Sequence, residues 1–164
     1  MTNDENRMTT YDTIKDGVDL GEDVTGGEEL FWAGDVGEAM ILRDEPVATV
    51  FDLEERTARF GEAIIRFAKR IPQNPVNVRL ISQVVGAGTS VGANYCEADD
   101  GVSRKDFRNR IGICRKEARE TKFFLRMIAT AEPDLKPDAR LLWKEARELH
   151  LIFSRIWRSS AKDE

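Results

Sequence analysis

The sequence predicts an all-α protein: an antiparallel up-down-up-down four-helix bundle behind an acidic N-terminal extension. Three observations predict it. From residue 52 onward, apolar residues recur at alternating steps of four and three, the period of one buried helix face. The pattern breaks only at Pro72, at Asp99-Asp100-Gly101 and between Pro133 and Pro137, so four helical stretches are joined by short connections. No stretch of this body alternates with the period of two that a half-buried strand requires.

Each helix carries its own start and stop. Asp52 and Glu55 make a capping-box pair, and Leu53, Thr57, Phe60, Ile64, Phe67 and Ile71 form one stripe before Pro72 ends the first helix. Asn74 is a cap and Pro75 suits the first turn of the second helix. That helix runs to about Ala98, with Leu80 or Ile81, Val84, Gly88, Val91, Tyr95 and Ala98 on one face. Ser103 and Asp106 open the third, whose seam is Phe107, Ile111, Cys114, Ala118, Thr121, Leu125 and Ile128. The fourth is predicted over Asp138 to Ser159, with Leu142, Leu149, Ile152 and Ile156 as its core stripe. Trp143, His150, Phe153 and Trp157 form a second apolar-aromatic stripe beside it. Helices of this length reach about 30–38 Å.

Residues 51–164 are thus the bundle, and residues 1–50 an extension. The extension holds 3 basic and 13 acidic residues; the remainder holds 22 basic and 17 acidic. A net charge of -5 therefore hides an acidic arm on a basic body. Residues 1–27 lack a sustained period and read as disordered. Residues 28–45 hold two apolar knots, Leu30-Phe31-Trp32 and Met40-Ile41-Leu42, and read as a docking segment for a protein partner.

Several function classes find no support. The N-terminus lacks the basic region and apolar stretch of a secretory signal. No apolar run approaches the roughly 20 residues of a membrane span, so a cytoplasmic protein is expected. Two cysteines, Cys96 and Cys114, make no disulfide framework. His150 is the lone histidine, and no His-Cys-carboxylate cluster has metal-ligand spacing. Neither enzyme activity, cofactor nor metal is expected. Glu97, Glu117 and Glu120 read as ion-pair partners on a charged helix surface rather than as acid–base catalysts.

The stretch VVGAGTSVGANYCEA, residues 84–98, has the look of a phosphate loop. It is not one. A P-loop needs GxxxxGK[ST] and the dinucleotide fingerprint GxGxxG, whereas this reads GxGxxxG inside a helix. Helical glycine costs about 1 kcal/mol relative to alanine. Gly88 and Gly92, one turn apart beside Ala87, Ser90 and Ala93, therefore predict a surface where another helix comes close. Thr89, Ser90 and Asn94 offer hydrogen bonds across that contact.

The phrases TSVGANYCEA, SRKDFRNRIGICRKEARETKFFLRMI and LLWKEARELHLIFSRI resemble the bacterial family of 23S rRNA intervening-sequence proteins. That family is related to the accessory variability protein of diversity-generating retroelements. The resemblance spans about residues 52–160. It implies an antiparallel four-helix protomer assembled as a homopentamer, without established enzymatic activity. Its accessory relative binds nucleic acid and a reverse transcriptase. Two departures stand out: the family often carries an arginine near the position of Gly86, and the acidic extension lies outside its usual pattern.

Two surfaces carry the functional expectation. Arg104, Arg108, Arg115, Arg119, Lys122 and Arg126, with Lys105 beside the first, recur at helical spacing on the third helix. They read either as a solvated face or, repeated around an oligomer, as a surface that neutralises RNA or DNA phosphates. The aromatic stripe of the fourth helix gives that helix one apolar face too many for a monomer. Trp143, His150, Phe153 and Trp157 are accordingly expected at a homo-oligomer interface, together with Gly88 and Gly92. The favoured function is an oligomeric scaffold that binds nucleic acid; the alternative is a protein–protein adaptor that presents residues 28–50.

Overall fold

The computed structural model describes residues 26–33 and 52–160. The chain divides into two units, residues 1–38 and residues 39–164. In the first, α1 (Gly26–Ala33) is a short helix with Glu28 and Glu29 in its opening turn, where acidic groups suit the helix dipole. Its Phe31 and Trp32 rings meet edge to face at 4.9 Å, while Leu30 is exposed. Gly26 and Gly27, expected disordered, belong to this helix. The rest of the predicted disordered stretch, and residues 34–45 of the predicted docking segment, lie outside the described residues.

The second unit is the four-helix bundle: α2 (Leu53–Ala68), α3 (Pro75–Asp99), α4 (Arg104–Ala131) and α5 (Lys136–Ser159). Among the described residues there is no strand. The caps do what their residue types imply. Asp52 Oδ1 accepts from the Glu55 N–H at 3.0 Å, Asn74 Oδ1 from Val76 and Asn77, and Ser103 Oγ from Asp106 at 3.1 Å. Each bond satisfies a backbone donor that a helix start leaves without a partner. A single 3₁₀ turn, Pro133–Leu135, leads into α5, which starts at Lys136, slightly before the predicted Asp138.

Contacts between successive helices run in opposite senses along the sequence. Ile64 meets Gly88 and Thr57 meets Gly92; Val91 accepts from the Cys114 thiol and Asn94 from Arg110; Gly112 meets Trp157. This is the antiparallel order expected of helices joined by short loops. One end is fastened by Asn77, buried on α3. Its Nδ2 donates to the Pro72 carbonyl at 2.9 Å and to Glu132 at 2.6 Å, tying the α2–α3 turn to the end of α4.

The predicted stripe of α2 is buried throughout, and that of α4 is buried except for half-exposed Phe107. The stripe of α5 is corrected. Ala139, Trp143, Ala146, Leu149 and Phe153 are the buried residues, whereas Leu142, Ile152 and Ile156 are half-exposed. Trp143 and Phe153, expected at a subunit interface, lie 1% and 0% exposed in the protomer's own core. The physical reason is volume. Two alanines on the same face let α5 come close enough for the large rings to fill the interior.

Gly88 and Gly92 do permit a close approach, and it is made by α2 of the same chain. A Cβ on Gly88 would stand 2.8 Å from Ile64 Cγ1, and one on Gly92 3.3 Å from Thr57 Oγ1. Thr89 and Asn94 hydrogen-bond mainly within α3, to Val85 and Ser90 carbonyls, although Asn94 Oδ1 also accepts from Arg110.

Gly88 and Gly86 therefore differ sharply in their expected response to alanine. Ile64 is fully buried and stiff at χ1, so it cannot swing aside. Gly88→Ala should lose about 1–2 kcal/mol, overpacking exceeding the gain in helix propensity. Nothing lies within 4 Å of a Cβ at exposed Gly86, and Gly86→Ala should gain about 0.5–1 kcal/mol. Urea midpoints of the two variants check this; equal midpoints would contradict the close approach of α2 and α3.

Candidate functional site

Arg108, Arg115 and Lys122 of the basic stripe on α4 face α5, and α5 carries a basic row of its own, of which Arg147 meets them. Lys136, Arg140, Lys144, Arg147, Arg155 and Arg158 recur at helical spacing, interrupted only at Leu151. The stripe of α4 has one gap as well, at Gly112. Trp157 of α5 fills that gap. A Cβ on Gly112 would approach its Nε1 to 3.3 Å, so the indole rests on bare helix backbone. The guanidinium carbons of Arg108 and Arg115 each lie 4.6 Å from its ring centroid. About four turns back along α5 the motif repeats, with Lys122 Nζ 5.0 Å and Arg147 Cζ 6.0 Å from the Trp143 ring. Between the two tryptophans, His150 Nδ1 lies 3.1 Å from the Arg115 carbonyl. A carbonyl only accepts, so the proton of this bond sits on Nδ1.

Three of the acidic residues on the two helices pair away from this contact. On α5, Glu145 takes Arg56 of α2 through two hydrogen bonds of 2.7 and 3.1 Å, and Asp138 takes Arg70 at 2.8 Å. Both carboxylates therefore belong to the α2 side of α5. On α4, Asp106 serves the helix start, and Glu97 of α3 draws Arg110 away at 2.7 Å. Glu117 and Glu120 share one turn. Burial pushes the Glu117 carboxyl above the usual range, and the neighbouring Glu120 charge adds to this. The outcome is a seam with Arg108, Arg115 and Lys122 on one side and Arg147 on the other, while Glu145 and Asp138 of α5 turn to α2.

The predicted cations divide by exposure. Arg104, Lys105 and Arg119 are exposed; Arg108, Arg115 and Arg126 are half-buried. Lys122 is corrected: it is only 8% exposed, its stem packed in the seam and its ammonium over Trp143, so it acts from within. His150 and Trp157, expected at a subunit interface, are half-buried in this seam within the protomer. The α5 half of the site escaped the sequence reading. Its signal was present as the spacing 136, 140, 144, 147, 155 and 158, masked by the aromatic residues interleaved with it.

Cys114 is buried, its thiol pushed up to about 12 by burial, while Cys96 is exposed. Among the described residues, no three His, Cys, Asp or Glu side chains come together to hold a metal ion. Among the same residues no helix is long and apolar enough to cross a membrane.

The raised Glu117 carboxyl has a signed consequence. The folded state binds its proton more tightly than the unfolded chain, so stability falls as pH rises through that range. Glu117→Gln should therefore stabilise the protein at pH 7 and lose its advantage toward pH 3, read as the difference in melting temperature. A variant less stable than the parent at pH 7 would contradict it.

A family model described as 23S rRNA-intervening sequence protein matches residues 51–155. A crystal structure of a protein of unknown function, from the S23 ribosomal protein family of Bacteroides thetaiotaomicron VPI-5482, is similar in fold. Its TM-score is 0.58 at 25% sequence identity, over 64% of this chain and 97% of that one. No curated relative matches the chain.

Proposed function

The chain belongs to the 23S rRNA-intervening sequence protein family, and on that premise we propose that it is a nucleic-acid-binding helical scaffold that works as a homo-oligomer. The observation that carries the reading is the one-sided seam of α4 and α5. Arg108, Arg115 and Lys122 of α4 and Arg147 of α5 lie along it, and the carboxylates Glu145 and Asp138 pair with α2. Such a surface neutralises phosphates and releases their counterions, the main source of affinity in sequence-independent nucleic-acid binding. The family's name, which refers to an intervening sequence of 23S rRNA, favours RNA as the first probe.

Oligomerisation rests on different residues from those expected in the sequence. Trp143 and Phe153 are used up inside the protomer. Ile65, Val76, Val78, Phe123 and Leu141 remain 39–63% exposed, and Gly86 offers an open helix backbone. Apolar surface of this kind is suited to burial against a second copy. Light scattering at micromolar concentration should give a mass above the 18.6 kDa of one chain. A monomer mass would remove the scaffold part of the reading and leave the seam intact.

The seam itself is tested with cations that are exposed and outside the core. Arg104, Lys105 and Arg119 of the α4 stripe meet that condition. In a salt titration of RNA binding by fluorescence anisotropy, the slope of log K against log[salt] should fall by about 0.7–0.9 for each cation replaced by Gln. A triple variant with an unchanged slope would show that phosphates are bound elsewhere, or not at all.

A further inference from the structure

We infer that the α4–α5 seam tracks the phosphate backbone of a nucleic-acid duplex without reading its bases, and that Trp157 and Trp143 act as positioning residues for its cations rather than as stacking platforms. This deepens the nucleic-acid reading above and rests on it.

The argument starts from what the seam lacks. Proteins that bind single strands combine a positive groove with open aromatic faces, on which unpaired bases stack. Here the two indoles along the groove are already in use. Arg108 and Arg115 flank Trp157 at 4.6 Å each, and Lys122 and Arg147 attend Trp143. Trp143 is also 1% exposed, so no base reaches it. Exposed Phe123 offers a ring, but it packs edge to face on Phe124 of its own helix at 5.3 Å.

What the seam supplies instead is charge, part of it held in place by the two indoles. A guanidinium resting on an indole loses rotamer freedom before any ligand arrives, so less is lost on binding. Arg104 to Arg126 spans about 33 Å at helical rise, close to one turn of duplex. Cations held in advance, as Arg108 and Arg115 are on Trp157, suit a rigid row of phosphates. A duplex also has the higher charge density, with a salt slope of about 0.9 per phosphate against about 0.7 for a single strand. With about six contacts at about 0.1 M salt, that difference favours the duplex roughly tenfold. Sequence-specific contacts need side chains inserted at base edges, and two packed helices lying along a backbone present none.

The test is fluorescence anisotropy on the full chain with two RNA duplexes of unrelated sequence and each of their separated strands. The expected result is roughly tenfold tighter binding of both duplexes than of any strand, with the two duplexes equal within twofold. Trp157→Leu should weaken duplex binding while leaving the salt slope unchanged, since the cations remain but are no longer held. Trp157→Phe should restore most of the affinity. Single strands bound as tightly as duplexes, or one duplex strongly preferred, would overturn this inference and leave nucleic-acid binding standing. A lowered slope in Trp157→Leu would overturn the positioning role. Absence of binding to every probe at low salt would overturn the parent reading, and this one with it.

Discussion

Gly112 has no side chain, and much of the arrangement of α4 and α5 follows from that. The indole of Trp157 can lie on the helix backbone only where no Cβ projects. Once seated there, it separates Arg108 from Arg115 and gives each guanidinium an aromatic surface. Two like charges about two turns apart on one helix are thereby held along a buried contact instead of dispersing into solvent. The contact also fixes the register. With Trp157 opposite Gly112, antiparallel packing sets His150 at the Arg115 carbonyl and Trp143 beside Lys122.

The same packing logic sorts charge around the bundle. Every helix has two flanks beside its buried face, and a flank is defined by which neighbour it meets. On α5, the flank toward α2 holds Glu145 and Asp138, paired with Arg56 and Arg70. The flank toward α4 holds Arg147. The exposed Arg70–Asp138 pair contributes little stability, about 0–1 kcal/mol, whereas Arg56–Glu145 is half-buried and doubly hydrogen-bonded. Their geometric effect is to hold Glu145 and Asp138 on the α2 flank of α5. Small residues on the other side of the bundle play the matching part. Gly88 and Gly92 let α2 sit close on α3, and Asn77 fastens that pair to the end of α4.

Much of this was legible in the sequence. The caps at Asp52, Asn74 and Ser103 and the stripes of α2 and α4 follow from periodicity alone, because each helix there has one dominant apolar face. The α5 assignment failed for a definite reason. That helix carries two adjacent apolar rows, and a rule that favours aliphatic residues picks Leu142, Ile152 and Ile156 over Trp143 and Phe153. The deciding residues were Ala139 and Ala146, whose smallness marks the face that approaches its neighbours most closely. The candidate site was half legible. A row of arginines on one helix says nothing about which neighbour it faces, and the glycine gap that receives Trp157 has meaning only once α5 is in place.

Net charge is a poor guide to such a surface. The whole chain is acidic, with an isoelectric point near 5.1, and on that figure alone phosphate binding looks unfavourable. Most of the excess acid, however, lies in residues 1–50. At physiological ionic strength a charge is largely screened beyond about 8 Å. A phosphate approaching α4 and α5 therefore responds to the nearby cations and to any carboxylate within that distance. Among the described residues, helix packing sorts charge locally, with Glu145 and Asp138 on the α2 flank of α5 and Arg108 and Arg115 along the seam.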